Sequence, residues 1–153
     1  MPFSRILLCY DTTREGRRAL RVGADLAQQL GAETHLLAVR DNSYLMVGYD
    51  VMVAEAVDVE EQVAKDILHE GVERLESRGI TAHGHFAVGN PLEQIPLFAN
   101  RFKVDLIVVG HRPCGKLARW WNGPGNGLLL DKVACSVLVS IDPTDGKSEP
   151  PAA

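Results

Sequence analysis

Residues 104–127 read VDLIVVGHRPCGKLARWWNGPGNG, and this stretch decides how the rest of the chain is interpreted. An apolar run ends at Gly110, a basic loop follows, and a second glycine cluster leads into LLLDKVA. A strand, a glycine-bearing loop and a helix start together turn backbone N–H groups toward a phosphate. The stretch therefore predicts an anion-binding loop at the end of a buried strand.

The rest of the chain alternates short apolar runs with segments of helical spacing. The five predicted strands are residues 5–10, 33–39, 80–88, 104–109 and 136–141. The four predicted helices are residues 14–30, residues 59–79, a short or kinked helix that begins at Asn90 and is interrupted by Pro96, and residues 128–134. This alternation favours an α/β fold, a five-stranded parallel doubly wound sheet with helices on both faces. In the strand order 3-2-1-4-5 the winding reverses between strands 1 and 4, which would bring Asp11 and Gly110 into one ligand crevice.

Composition limits the class of protein. The 153 residues favour one domain, residues 1–141, followed by a tail at 142–153 whose proline and charge content predicts disorder. The net charge of −4 argues against nucleic acid or an anionic membrane as the main partner. Three widely spaced cysteines, at 9, 114 and 135, form no CxxC pair, which favours reduced thiols. No apolar run is long enough for a membrane helix and no signal-peptide pattern is present, so we expect a cytoplasmic protein.

Several local patterns each have two interpretations. Asp11, which precedes two threonines, either caps the next helix or contacts a ligand. His83 and His85 would share one face of a strand, either as metal ligands or on a solvent-facing edge. The solvent-facing edge is favoured because no third ligand is apparent in the sequence. Residues 40–56 have no clean period and suggest a lid or a partner surface.

The loop after the fourth strand also has alternatives. It nearly matches the P-loop GxxxxGK[ST], but Leu117 replaces the hydroxyl residue and Pro113 lies inside the cradle, so a true P-loop is disfavoured. Cys114 is either a reactive thiol beside basic residues or a spectator. The Trp120–Trp121 pair either closes a hydrophobic pocket or stacks on a partner, or else one ring packs on the sheet while the other is partly exposed. The sequence has no Ser/His/Asp or Cys/His set with motif-like spacing, which favours a non-catalytic protein.

Across about residues 3–141 the chain resembles the universal stress protein (UspA) family. The resemblance is carried by RILLCYDTTREGRRAL, THLLAV, GNPLEQI, VDLIVVGHR and LLLDKVACSVLVS, in this order and spacing. It implies a Rossmann-like universal stress protein fold with strand order 3-2-1-4-5. It also implies a homodimer formed by pairing of the last strands, here Val137 to Ile141.

ATP-binding members of that family carry a motif of G, two residues, G, nine residues, G and then Ser or Thr. Gly110 and Gly123 match the first and third glycines, whereas Pro113 and Pro124 replace the second glycine and the hydroxyl residue. A later hydroxyl position falls on Asn126. Proline has no N–H and a fixed φ, so each replacement removes a phosphate donor. Nearby glycines and cations offer compensation: Gly115, Gly125, Gly127, Arg112, Lys116 and Arg119.

The resemblance assigns the remaining positions. Asp11 matches the acidic residue that approaches the adenine or ribose, and Val39 matches the position whose backbone contacts adenine. The phosphate end would be lined by Gly110, Arg112, Gly123, Gly125 and Asn126. We therefore expect a cytosolic stress-response regulator with a degenerate ATP or AMP pocket, with Mg²⁺ only if a triphosphate binds. The alternatives are an interaction module for an unknown protein partner with no nucleotide, and a slow ATP hydrolase.

Overall fold

A computed structural model describes residues 3–41, 51–111 and 129–141, with side chains described for all of these except 51–58, 111 and 141. Several sequence predictions lie outside the described residues. These are the phosphate-end assignments at Arg112, Gly123, Gly125 and Asn126, the prolines at 113 and 124, Cys114, the Trp120–Trp121 pair and the tail at 142–153.

Five parallel strands form one sheet. They are β1 (Arg5–Tyr10), β2 (Glu33–Arg40), β3 (Ala82–Val88), β4 (Leu106–His111) and β5 (Ser136–Ile141). Their order is β3-β2-β1-β4-β5, and every neighbouring pair is parallel. The predicted fold class and strand order are confirmed, including the reversal of winding between β1 and β4.

The helices cover both faces of the sheet. They are α1 (Arg14–Arg18), α2 (Arg21–Leu30), α3 (Val51–Ser77), α4 (Pro91–Phe102) and α5 (Leu129–Lys132). Alternate residues of β1 divide between two cores, with Leu8 in the cluster beneath α2 and α3 and Leu7 in the cluster beneath α4. Both faces of the strand are thus buried, as its continuous apolar sequence indicates.

The helix predicted over residues 14–30 is broken in two between Arg18 and Arg21. The break has a tertiary cause. Ser140 of β5 donates its hydroxyl hydrogen bond to the carbonyl of Ala19, and Gly110 of β4 leaves room for the Ala19 side chain. Gly31 ends α2 with a φ of 62°, which confirms it as the predicted C-terminal stop.

The third helix is longer than predicted, because it begins at Val51, inside the segment interpreted as irregular. The sequence VMVAEAV is apolar almost throughout, so it gives no amphipathic period although its residues are compatible with a helix. The predicted apolar face packs only over the later turns of the helix. Val59 and Val63 are 66% and 49% exposed, whereas Ile67 and Leu75 are buried.

The sequence predicts that the fourth helix is short or kinked at Pro96, but the helix continues past Pro96 and has 12 residues in all. Asn90 caps it as expected, accepting a hydrogen bond from Leu92 N–H at 3.0 Å. Pro96 removes one backbone hydrogen bond. Burial of Ile95 and Ala99 on either side of the proline holds this helix on the sheet and offsets the loss.

Candidate functional site

Three of the sequence-predicted site residues meet at the carboxyl edge of the sheet. The register pairs Tyr10 with Ala38, so Asp11 follows β1 at the height of Val39 in β2. On the other side Cys9 pairs with Val109, so Gly110 of β4 lies one step before Asp11. Residues from three adjacent strands, nearly a hundred positions apart in sequence, thus share one edge at the switch point of the sheet.

The Asp11 carboxylate organises the turn that follows β1. Its Oδ1 accepts hydrogen bonds from the backbone N–H of Thr13 at 3.2 Å and from the Thr13 hydroxyl at 2.6 Å. Thr13, and not Asp11, is the N-cap of α1, because its Oγ1 accepts from Gly16 N–H at 2.9 Å. Within the described parts of the chain no hydrogen bond reaches Oδ2 of Asp11, so that oxygen remains available as an acceptor.

The backbone of this turn is strained at Thr12, whose φ is +76°. A β-branched residue rarely adopts a positive φ, and such conformations persist where the surrounding structure enforces them. Here the hydrogen bonds of Asp11 to Thr13 close the turn around Thr12. Nothing in the sequence signals this strain, since threonine ordinarily favours extended backbone.

Gly110 permits close packing of α1 against β4. A Cβ at position 110 would lie 2.7 Å from Cβ of Ala19 and 3.3 Å from the carbonyl oxygen of Gly16. Gly16 in turn touches Asp11, because a Cβ on Gly16 would overlap the Asp11 carboxylate. Gly16 is therefore the link between Asp11 and Gly110, and on this side the space beside Gly110 is filled by protein.

Val39 is buried at this edge. The residue as a whole, backbone included, is 1% exposed, and its side chain packs in the core beneath α4. The neighbouring Arg40 is also buried, and its guanidinium donates to Glu60 Oε2 at 3.0 Å. The Arg40 carbonyl accepts from Gly89 N–H at 2.9 Å, which ties the end of β2 to the loop after β3.

Tyr10 is a residue of this edge that sequence reasoning missed. It is fully buried, and its hydroxyl has no hydrogen-bond partner among the described residues. Burial raises the pKa of Tyr10 strongly; Arg17 opposes this shift and Asp11 adds to it. A tyrosine beside Asp11 in an otherwise aliphatic strand was the available signal, because a buried phenol ordinarily finds a partner.

The two histidines of β3 differ in their surroundings, and the predicted solvent-facing edge is wrong for one of them. His83 is exposed, but His85 is half-buried against Phe98 and Phe102 of α4. A third imidazole, from His35 of β2, lies 2.9 Å from His85, measured from Nδ1 of His35 to Nε2 of His85. The sequence hid this partner because His35 sits in an apolar run fifty positions away.

Burial, as the largest cause, together with the neighbouring imidazoles and Arg101, lowers the pKa of His85 to about 4. Burial likewise lowers the pKa of His35, with His83 and Arg5 acting in the same direction and Glu33 opposing them. Both imidazoles are therefore neutral at pH 7. No group of three or more His, Cys, Asp or Glu suited to a metal occurs in the described ranges.

The edge at Asp11 can accept a hydrogen bond at Oδ2 of the carboxylate, which is the chemistry of binding. Cys9 and Cys135 are free thiols, one buried and one half-buried, and burial is the first cause that raises the pKa of each. They are therefore poor nucleophiles at neutral pH. None of the helices in the described ranges is long and apolar enough to cross a membrane.

Known proteins match this chain along nearly its whole length. The model of the Universal stress protein family matches residues 2–140. A universal stress protein of Synechocystis sp. is 22% identical over 151 residues, covering 91% of this chain and 98% of the relative.

Solved structures match as well. UspA from Lactobacillus plantarum has a TM-score of 0.68 at 20% identity, covering 90% of this chain and 97% of its own. A universal stress protein from Archaeoglobus fulgidus in complex with dAMP has a TM-score of 0.58 at 21% identity, covering 92% of this chain and 99% of its own. A universal stress protein in complex with cAMP has a TM-score of 0.61 at 18% identity, covering 91% of this chain and 97% of its own. At such identities these structures demonstrate a shared fold.

Proposed function

Since the chain belongs to the universal stress protein family, we propose that it is a regulatory stress-response protein that binds an adenine nucleotide, ATP or AMP, at the carboxyl edge of β1, β2 and β4. One observation carries the proposal: the register places Asp11, Val39 and Gly110 side by side at the switch point. The dAMP and cAMP complexes of two proteins with this fold support the same class of ligand.

The described residues fit the base and ribose end of such a ligand. Oδ2 of Asp11 can accept a hydrogen bond from a ribose hydroxyl or an adenine amine, while Oδ1 stays with Thr13. The backbone of Val39 is the proposed adenine contact, and because the whole residue is 1% exposed, neighbouring groups at the edge would have to move aside for that contact. Gly110 would begin the phosphate loop. It does not open a space for the ligand, because Ala19 fills the side where a Cβ of residue 110 would project.

The phosphate end is proposed for residues that follow β4. Arg112, Gly123, Gly125 and Asn126 would line it, and Mg²⁺ would enter only with a triphosphate. Pro113 and Pro124 lack N–H groups, so fewer backbone donors reach the phosphates than in a motif with glycine and serine at these places. We therefore expect weaker discrimination between ATP and AMP than a complete glycine motif would give.

We propose that the protein is non-catalytic and cytoplasmic. Two features support this. Loss of the motif hydroxyl at Pro124 removes a group that would position a terminal phosphate or a metal-bound water. The thiols of Cys9 and Cys135 remain unpaired, as in a reducing compartment.

We further propose a homodimer formed through β5, residues Val137 to Ile141. The strand lies at the edge of the sheet, next to β4 only. Val137, Leu138 and Val139 are half-buried within one chain, so pairing with a second copy would cover more of their apolar surface. A long apolar edge that stayed open would invite aggregation.

Calorimetry with ATP, ADP and AMP, with and without Mg²⁺, tests the nucleotide proposal. Asp11→Asn keeps an acceptor for Thr13 but removes the charge, and we expect it to weaken binding about tenfold or more. Asp66→Asn, an exposed site on α3, is the matched control and should leave binding unchanged. No heat at millimolar nucleotide would favour the ligand-free interaction module. Phosphate release from ATP above the Asp11→Asn rate would favour the hydrolase.

A further inference from the structure

A cavity lies between α1–α2 and α3, on the sheet face that these helices cover. Its volume is about 270 Å³. The floor is apolar and is formed by Leu8 and Leu36 of the sheet with Leu75 of α3 and Leu20, which lies between α1 and α2. Asp11, Val39 and Gly110 are not among its lining residues, so this cavity is separate from the nucleotide edge.

Guanidinium groups dominate the walls of this cavity. Six of them line it, with Glu70 as the single carboxylate. They are Arg14, Arg17, Arg18, Arg21, Arg74 and Arg78. Three belong to α1 and Arg21 begins α2, while Arg74 lies in the last turn of α3 and Arg78 directly follows it, so cations line both sides of the cleft. The chain as a whole carries a net charge of −4, so this concentration is local and not a result of composition.

Glu70 is shared among three of these arginines. Its Oε1 lies 2.7 Å from Arg17 and 3.2 Å from Arg74, and its Oε2 lies 3.4 Å from Arg14. The hydrogen bond from Arg17 is the first cause that lowers the pKa of Glu70. Arg17 also donates to the Ile67 carbonyl at 2.6 Å and is largely buried, so it fixes one end of the cleft.

The remaining arginines differ in their pairing. Arg78 donates to Asp25 at 2.7 Å and to Gln28 at 2.6 Å. Arg18 and Arg21 are exposed and make no ion pair or hydrogen bond through their side chains with any described residue. One carboxylate therefore faces a surplus of cations, and the two unpaired guanidiniums have donors directed at no protein group.

From these contacts we propose that the cleft binds a small phosphate monoester, with its phosphate held by Arg18 and Arg21 and its organic portion on the leucine floor. Guanidinium groups bind phosphate in a bidentate manner and are suited to partly buried sites. The leucine floor distinguishes this cleft from a simple electrostatic patch, since an apolar body buried there adds affinity. The cavity is slightly smaller than the roughly 300–1,000 Å³ typical of drug-sized ligands, which limits the organic portion to about one ring or a short chain.

Phenyl phosphate is the probe, measured by calorimetry on the full chain at constant ionic strength. We expect saturable binding to the wild type and about tenfold or greater weakening in Arg18→Gln/Arg21→Gln. Arg101→Gln/Lys132→Gln removes the same charge from exposed positions on α4 and α5 and should leave binding unchanged. Circular dichroism checks that both double variants are folded, which is expected because Arg18 and Arg21 are exposed and pair with no described residue.

Three outcomes would overturn the proposal. These are no binding of phenyl phosphate to the wild type, unchanged binding in Arg18→Gln/Arg21→Gln, and equal weakening in both double variants, which would indicate a general effect of charge. Inorganic phosphate tests the floor separately. If it binds as tightly as phenyl phosphate, the leucines do not take part and the site as proposed is wrong.

Discussion

Gly71 lies in the interior of α3, and we predict that Gly71→Ala destabilises the protein although alanine is the better helix former. In an open helix the change would raise the free energy of unfolding by about 0.5–1 kcal/mol. Here the new Cβ would lie 2.7 Å from Cδ2 of Leu36 and 2.9 Å from Cδ of Arg17. Leu36 is buried, and Arg17 is held by Glu70 and the Ile67 carbonyl, so neither side chain moves freely. Overpacking costs about 1–3 kcal/mol, so after the helix gain of about 0.5–1 kcal/mol there remains a net loss of about 1 kcal/mol, and at most about 2.5 kcal/mol.

Urea denaturation followed by circular dichroism measures this loss of unfolding free energy. In a thermal melt of the same variant, Tm should fall by about 2–8 °C. The control is the same substitution in a Leu36→Ala background, where the nearest clash is absent. There Gly71→Ala should be neutral or stabilising, and the difference between the two backgrounds is the coupling between positions 36 and 71. If Gly71→Ala alone raises the free energy of unfolding of the wild-type protein, the close approach of α3 to β2 is refuted.

Two further predictions concern protons and assembly. Because the folded-state pKa of His85 lies near 4, below the unfolded value of about 6.5, the unfolded chain takes up the proton first and stability should fall as pH drops from 6.5 to 4. In urea titrations at several pH values, His85→Gln should make the unfolding free energy less dependent on pH. His69→Gln, at an exposed site, should follow the wild type. The same pH dependence in all three proteins would contradict the burial of His85. Sedimentation velocity should give twice the chain mass of 16.7 kDa if β5 pairs with a second copy, and a monomer at all concentrations would rule that interface out.

The sequence predicts most of the sheet because strand burial is a local pattern. The bounds of β1 and β5 are as predicted, while β4 begins two residues later than expected. The reason is Asp105, whose carboxylate accepts hydrogen bonds from the backbone N–H groups of Ser4 and Arg5 and so belongs to the connection before the strand. Such a contact spans a hundred positions and leaves no mark in local periodicity.

Part of the candidate site could also be predicted from the sequence, and part of it could not. Topology and family resemblance together predict that Asp11 and Gly110 lie at one edge of the sheet, and the pairing of β1 with β4 confirms that placement, whereas their sharing a ligand crevice stays a prediction. The positive φ of Thr12, the role of Gly16 between the two residues and the unpartnered hydroxyl of Tyr10 depend on packing between elements. Only a tertiary structure determines them, since each residue type is ordinary for its place in the sequence.

The hydrogen bond from Ser140 to Ala19 also bears on how the protein is made. It joins the last strand to the end of α1, the helix that packs beside Gly110 and Asp11. A ribosome releases β1 and α1 before β4 and β5, the strands that anchor them and that follow nearly a hundred positions later. Until β5 has emerged, the Ala19 carbonyl lacks its Ser140 partner, so the packing of α1 beside Asp11 is completed late in folding.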